Sequence, residues 1–389
     1  MKPQTRPTTS LSRLRDSLMV RIQRVLERSE IPQDREQLLE IVDQHSHTEH
    51  LMVFPPGLGW KTHLFQRPQQ LARQLARRGV LVFYMEPELS REVQGFHPLE
   101  DNLCLCRVPT QTFTVLERPL AYSLTWNRKY LSSLTEPRII YDFVDDLAAF
   151  GGPRARLTRD HHWLAETAEL VIATSQPLLE QVRPQRPDAI LVPNGVEYEH
   201  FYQMHTRAER PPHEMAPIVF GGRPVIGYHG ALARWFDYEL MRDVAGKRPD
   251  YAFLLIGPDY DGSLTHSGLL TLPNVYWIGS IDYERLPSYL AYVDVAAIPF
   301  QRGAIARATS PLKLFEYMAG GVPIVITRMQ ESMRYPGVLP AQGADEFASR
   351  LDEALALRKD SDYLAVLDKT ARENTWEKRA GSILDAINK

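Results

Sequence analysis

SPLKLFEYMAGGVPIVIT, residues 310–327, reads as a short helix running into a buried strand. Ser310 is placed to N-cap that helix. Pro311 suits its first position, where the N–H that proline lacks would go unpaired anyway. Gly320 and Gly321 end the helix, Pro323 prevents its return, and IVIT is an apolar β-branched run. The start of a helix offers free N–H groups and partial positive charge, which suits phosphate. Lys313 lies in the first turn, and Glu316, three residues on, shares its face. Glu316 sits about 7 Å along the axis from Pro311, at ~1.5 Å per residue. A diphosphate on the helix end would leave a ribose beside Glu316, whose carboxylate can accept both sugar hydroxyls. This layout fits a nucleotide diphosphate. The same residues also describe an ordinary capped surface helix, so the rest of the chain must decide.

Around this segment, strand and helix patterns alternate. PVIGYHG, YAFLLIG, NVYWIGS and DVAAIPF read as strands, and FDYELMRDVAGKRPD, LPSYLAYV and ADEFASRLDEALAL as helices. Strand ends fall at Gly230, Gly257, Gly279 and Phe300, and parallel strands would open them all into one crevice. The first half repeats the theme. LMVF runs into PPGLGW, then the helix RPQQLARQLARRG, then the strand VLVFYMEP, which makes a βαβ unit. RIIYDFV, LVIATS and ILVPNGV are further strands. The expected order is a helical extension over 1–47, one α/β domain over 48–205, a proline-rich linker over 206–222, a second α/β domain over 223–365, and a C-terminal helix over 366–389 packing back across the junction.

In the extension, Leu11, Leu14, Leu18, Ile22, Val25 and Leu26 recur at helical spacing among arginines. Residues 11–28 therefore suit an anionic membrane surface, or equally a protein partner. HSHTEH (45–50) holds potential metal ligands but reads as a solvated linker. A net charge of −3 gives no global attraction to nucleic acid, and no run nears the length of a membrane span. Cys104 and Cys106 alternate with leucines on a strand, so both read as buried core residues rather than a disulfide or zinc site. These features predict a cytoplasmic protein, peripheral at the inner face of the membrane if 11–28 binds there.

FQRPQQLARQLARRG, IIYDFVDDL, VIATSQPLLE, LVPNGVEYEHF, IGYHGALARWFD, NVYWIG and SPLKLFEYMAGGVPIV occur in this order over residues 50–389. In these motifs the chain resembles the GT-B glycosyltransferases, specifically the bacterial family-four (group 1) type that builds teichuronic acid and other surface polysaccharides. The resemblance implies an α/β fold of two Rossmann-like domains facing across a cleft. The C-terminal domain would hold a nucleotide sugar and the N-terminal domain an acceptor. It also implies that Glu316 holds the donor ribose. Many members carry a second glutamate eight residues earlier, where this chain has Ala308, so the paired-glutamate motif is broken here. Ser310 and Lys313 resemble diphosphate contacts of a related polysaccharide glucuronosyltransferase. GALARWFD resembles the family's phosphate loop, with Gly230 admitting a phosphate and Arg234 neutralising the leaving group.

The expected donor set is Gly230, Arg234, Gly257, Gly279, Ser310, Lys313 and Glu316. Lys313 and Arg234 meet the leaving charge in a metal-independent transfer without cofactor. Asp259-Tyr260-Asp261 is a D-x-D sequence of the kind that binds manganese in the other glycosyltransferase fold, but its setting, PDYDG, favours a plain turn. Gly57, Gly59 and Trp60 are the acceptor-side candidates. His63 and Arg67 are placed either to touch a polar acceptor or to pack the first helix, and His229 lies beside Gly230 at a strand end. Asp142, Asp145 and Asp146 follow RIIYDFV; Asp145 is the candidate general base for an inverting reaction, and helix capping competes with that role. Family-four likeness points to retention and the Ser310/Lys313 likeness to inversion. A nucleotide-sugar epimerase and a degenerate nucleotide-binding subunit are the competing functions.

Overall fold

The computed structural model describes residues 31–62, 64–87, 94–149, 153–206, 210–301, 303 and 309–389. Residues 11–28, His63 and Ala308 lie outside that set. An eight-stranded sheet organises the first half. Its spatial order is Gly95–Glu100, Leu103–Arg107, Val80–Met85, His50–Phe54, Leu120–Ser123, Arg138–Phe143, Leu170–Ala173, Ile190–Leu191. All neighbours are parallel except the antiparallel edge strand Gly95–Glu100. Period-two alternation splits each strand between two apolar layers: Val53, Leu81 and Phe83 face one, Met52, Val82 and Tyr84 the other. Cys104 and Cys106 lie on one face, both buried and free. Burial raises both thiols, that of Cys104 to about 12, so neither is a reactive thiolate. Residues 31–44 form a helix that plants Leu38 in the same layer.

The second sheet is parallel throughout, in the order Val275–Trp277, Ala252–Ile256, Val225–His229, Val295–Ile298, Ile324–Thr327, Val338–Ala341. Numbered along the chain, that order is 3-2-1-4-5-6, the doubly wound arrangement. Its strands are nearly continuous hydrophobic runs because helices cover both faces.

Three boundaries depart from the expected ones. Val196, Tyr198, Phe201 and Met204 belong to the core of the second domain, so the chain crosses near residue 196 rather than 206. The proline-rich stretch is not a free linker, because Met215 and Ile218 are buried in that same core. The chain crosses back where Val196 N–H donates to Asn374 O (3.0 Å) and Trp376 N–H to Val196 O (3.1 Å). The last helix, Trp376–Ile387, then packs on Arg67–Arg77, with Trp376, Ala380, Ile383 and Ile387 completing an apolar layer of the first sheet.

Candidate active site

Strand order in the second sheet reverses between Val225–His229 and Val295–Ile298, which leaves a crevice at their carboxyl ends. His229 and Gly230 close the first of these strands. The helix Leu312–Ala319 follows the second. It is not an ordinary surface helix. Residues Leu314 to Ala319 are all buried, Glu316 included. Pro311 rather than Ser310 occupies the N-cap, and no side chain caps it. Ser310 is buried, and its hydroxyl has no hydrogen-bond partner among the described residues.

Glu316 Oε2 lies 3.1 Å from His229 Nε2 with both side chains almost wholly buried. The ring N–H is not aligned on that oxygen, so the contact is electrostatic rather than a linear hydrogen bond. The Tyr317 ring meets the His229 ring edge-on at 4.9 Å, and its hydroxyl accepts from the His229 backbone N–H (2.9 Å), which fixes the strand end against the helix. Lys313 points back over Gly230, and its Nζ lies 5.0 Å from the ring centroids of both Tyr228 and Phe300. Burial pulls its ammonium down to about 8, against the upward pull of Glu316. Lys313 makes no ion pair among the described residues. A buried carboxylate with one poorly aligned partner and an unpaired ammonium on one helix face are a costly arrangement unless a ligand completes them. A ribose diol suits the first and a diphosphate the second.

The start of this helix is tied to the first domain. Asn194 Nδ2 donates to Ser310 O (2.6 Å), and Asn194 Oδ1 accepts from Arg67 Nη1 (3.3 Å). Arg67 in turn holds Asp142 through Nε (2.6 Å) and Nη2 (3.1 Å), and the Tyr122 hydroxyl donates to the same carboxylate. Burial opposes the charge on Arg67, but Asp142 and Tyr122 hold its guanidinium above the ordinary value. Arg67 therefore does not reach an acceptor; it is spent in a buried fork. The sequence pattern places Asn194 inside the strand ILVPNGV, whereas the strand ends at Leu191 and Asn194 lies in the loop that follows.

Arg234 is exposed on the loop after Gly230. Its backbone N–H donates to Asp261 Oδ2 (3.0 Å). The other oxygen of Asp261 accepts from Ser263 N–H (3.2 Å), and Asp259 accepts from Leu264 N–H (3.2 Å), Thr265 N–H (3.0 Å) and Thr265 Oγ1 (2.7 Å). The D-x-D aspartates are thus loop clamps. Gly257 and Gly279 stand at the neighbouring strand ends with their backbone groups in use: Gly257 N–H donates to Gly279 O (2.7 Å), and Gly257 O accepts from the Trp277 indole (2.8 Å). At Gly257 φ is 138°, and a Cβ would lie 2.0 Å from Gly230 O, so only glycine lets the two turns touch.

On the first domain, the PPGLGW loop is strapped down. Trp60 N–H donates to Glu86 Oε1 (2.6 Å), Gly59 O accepts from Gln69 Nε2 (3.0 Å), and Leu58 O from the Tyr84 hydroxyl (2.8 Å). Gly57 lies against Asn127, and the Trp60 ring packs edge-on against Phe65 and Tyr84. Asp145 follows the strand that carries Asp142. Burial, then repulsion from Asp146 and Asp142, lifts its carboxyl to about 7, a value matched to proton transfer near neutrality. The two halves meet beside the crevice: Gln70 Nε2 donates to the Tyr283 hydroxyl (2.8 Å), and the Phe65 ring lies 5.0 Å from the Tyr283 ring.

Residues 223–356, which hold this crevice, match the family described as Glycosyl transferases group 1. The second domain is a group 1 glycosyltransferase domain. The chain is 30% identical over 268 residues to the putative teichuronic acid biosynthesis glycosyltransferase TuaH of Bacillus subtilis, covering 63% of this chain and 66% of that protein's length. Among solved structures, sucrose-phosphate synthase of Thermosynechococcus elongatus superposes with a TM-score of 0.63 at 17% identity, over 87% of this chain and 98% of that one. The Anabaena protein HepE in complex with UDP-glucose gives 0.60 at 16%, over 87% and 99%. E. coli trehalose-6-phosphate synthase bound with UDP-2-fluoro glucose gives 0.64 at 11%, over 87% and 98%. The fold is GT-B.

Proposed function

We propose that the chain moves a sugar from a nucleotide-diphosphate sugar onto a cell-surface polysaccharide or lipid-linked glycan. The observation that carries this reading is the pairing, on one buried helix face at the switch point, of Glu316 for a ribose and Lys313 for a diphosphate. The names of its relatives agree with it: teichuronic acid biosynthesis for TuaH, and UDP-sugar complexes for HepE and trehalose-6-phosphate synthase.

In the transfer, the bond from the sugar's C1 to the diphosphate oxygen breaks as an acceptor hydroxyl attacks C1. Negative charge grows on the diphosphate. Lys313, Arg234 and the N-terminus of the Leu312–Ala319 helix meet it, so the reading is metal-independent. Ser310 adds a buried hydroxyl beside them, and Gly230 keeps the approach open. On an inverting path Asp145 takes the acceptor proton. Among the described residues no helix is long and apolar enough to cross a membrane; we place the enzyme in the cytoplasm, with residues 11–28 as a peripheral contact.

Incubation with UDP-, GDP-, ADP- and dTDP-sugars in the presence and absence of EDTA tests this. Glycan product that survives the chelator supports the reading. Release of free epimerised sugar, or tight binding without turnover, would replace it with an epimerase or a binding subunit.

A further inference from the structure

A second charged site lies away from the donor crevice, on the flank of the first domain. Arg128, Lys129, Arg156, Arg159, Asp160 and Trp163 line a cavity of about 390 Å³ between the turn after Leu120–Ser123 and the helix Arg154–Thr167. Four cations thus converge against a single carboxylate in a chain whose net charge is −3. That carboxylate organises them. Asp160 holds Arg128 at 3.0 Å and Arg156 at 3.5 Å. Arg128 also stacks over the Trp163 ring, 4.0 Å from its centroid, and its buried Nε has no hydrogen-bond partner among the described residues. Lys129, Arg156 and Arg159 are exposed. Oriented guanidiniums around an aromatic wall suit planar carboxylates carried on a sugar, since an arginine fork takes a carboxylate two oxygens at a time.

We propose that this cavity binds an acidic saccharide, namely the uronate-bearing stretch of the acceptor glycan behind the residue that is extended. This inference rests on the glycosyltransferase reading for its role but not for its binding. The concave shape, sized for one or two sugar rings, favours an oligosaccharide over a flat lipid surface. The site sits on the helix that follows the Asp145 loop in the chain, and the proposal takes the free end of a glycan anchored there to the acceptor side of the cleft.

The test is calorimetry on the full chain with tetragalacturonate as probe and maltotetraose as the neutral control. Wild type should bind the acidic tetramer and not the neutral one, more weakly at 300 mM than at 50 mM salt. The triple variant Lys129→Gln/Arg156→Gln/Arg159→Gln, which keeps the Arg128–Asp160–Trp163 core, should weaken that binding at least tenfold while UDP affinity is unchanged. Equal binding by the triple variant, or no binding by wild type, overturns the proposal. So does a triple variant that loses adhesion to phosphatidylglycerol vesicles but keeps tetragalacturonate, since the patch would then serve a membrane. Loss of sugar transfer with tetragalacturonate binding intact would count against the proposed function alone.

Discussion

Lys313 should make nucleotide binding pH-dependent in an unusual window. Its ammonium is pulled down to about 8 by burial. For such a group, roughly nine-tenths of molecules carry the charge at pH 7 and roughly a tenth at pH 9. UDP's own ionisations, at its terminal phosphate below pH 7 and at its uracil N3–H above pH 9, lie at the edges of that range, so the slope assigned to Lys313 is the difference between wild type and Lys313→Met. If the diphosphate requires the ammonium, UDP affinity falls about tenfold between these pH values. Replacing the lysine by methionine removes one charge-assisted hydrogen bond of about 1.5–3 kcal/mol, roughly 10- to 150-fold in Kd, and abolishes the slope. The free protein should respond oppositely. Because the folded-state value lies below the ordinary 10.5, the unfolded chain binds more protons between about 8 and 10.5, and stability rises with pH across that window. Lys313→Met should therefore raise Tm at pH 7 while weakening UDP. Calorimetric titration of UDP at half-unit steps from pH 7 to 9.5, on both proteins, measures the slope. A flat profile for wild type, or an equal slope in Lys313→Met, would refute the reasoning.

Three other perturbations follow from the same geometry. Asp142→Asn strips a buried guanidinium of its counter-charge, so stability should drop by about 3–5 kcal/mol in denaturant unfolding; a change below 1 kcal/mol would mean the Arg67–Asp142 fork is solvated. Gly257→Ala forces a methyl against Gly230 O, and overpacking plus backbone strain of about 1–3 kcal/mol each should show as a large loss of Tm; an unchanged Tm would contradict the tight contact. Asp145, with its carboxyl raised to about 7, destabilises the fold progressively as pH rises from 3.8 through 7, so Asp145→Asn should raise Tm at pH 8. If Asp145 is the base, the variant should also lose the limb of the rate profile that rises near pH 7.

The fold was largely written in local pattern. Strands such as YAFLLIG and DVAAIPF, buried on both faces, are unbroken apolar runs, and the helix Ala344–Leu357 starts and ends where its periodicity does. Leu120–Ser123 and Val338–Ala341 are less legible because proline interrupts their pattern, one following Pro119 and the other containing Pro340. The boundary error near 196 has a different origin. Tyr198 and Phe201 look the same in sequence whichever core they fill, and their choice of the second domain is a tertiary fact. In the site, Lys313 and Glu316 were visible because helical spacing fixes their relation. The partner of Glu316, His229, lies 87 residues away, and the sequence marks it only as a strand-end histidine. The Tyr122–Asp142–Arg67–Asn194 chain joins four separate segments, so no window of sequence contains it. Ser310 misled because the rule for capping residues is local, whereas Pro311 took the cap.

The central claim is that one helix face grips both the diphosphate and the pentose. Titrating UDP into Lys313→Met/Glu316→Ala tests it most directly. The account predicts a loss of at least a hundredfold in affinity, with far-UV dichroism and cooperative unfolding retained. A folded double variant that binds UDP as tightly as wild type would contradict it.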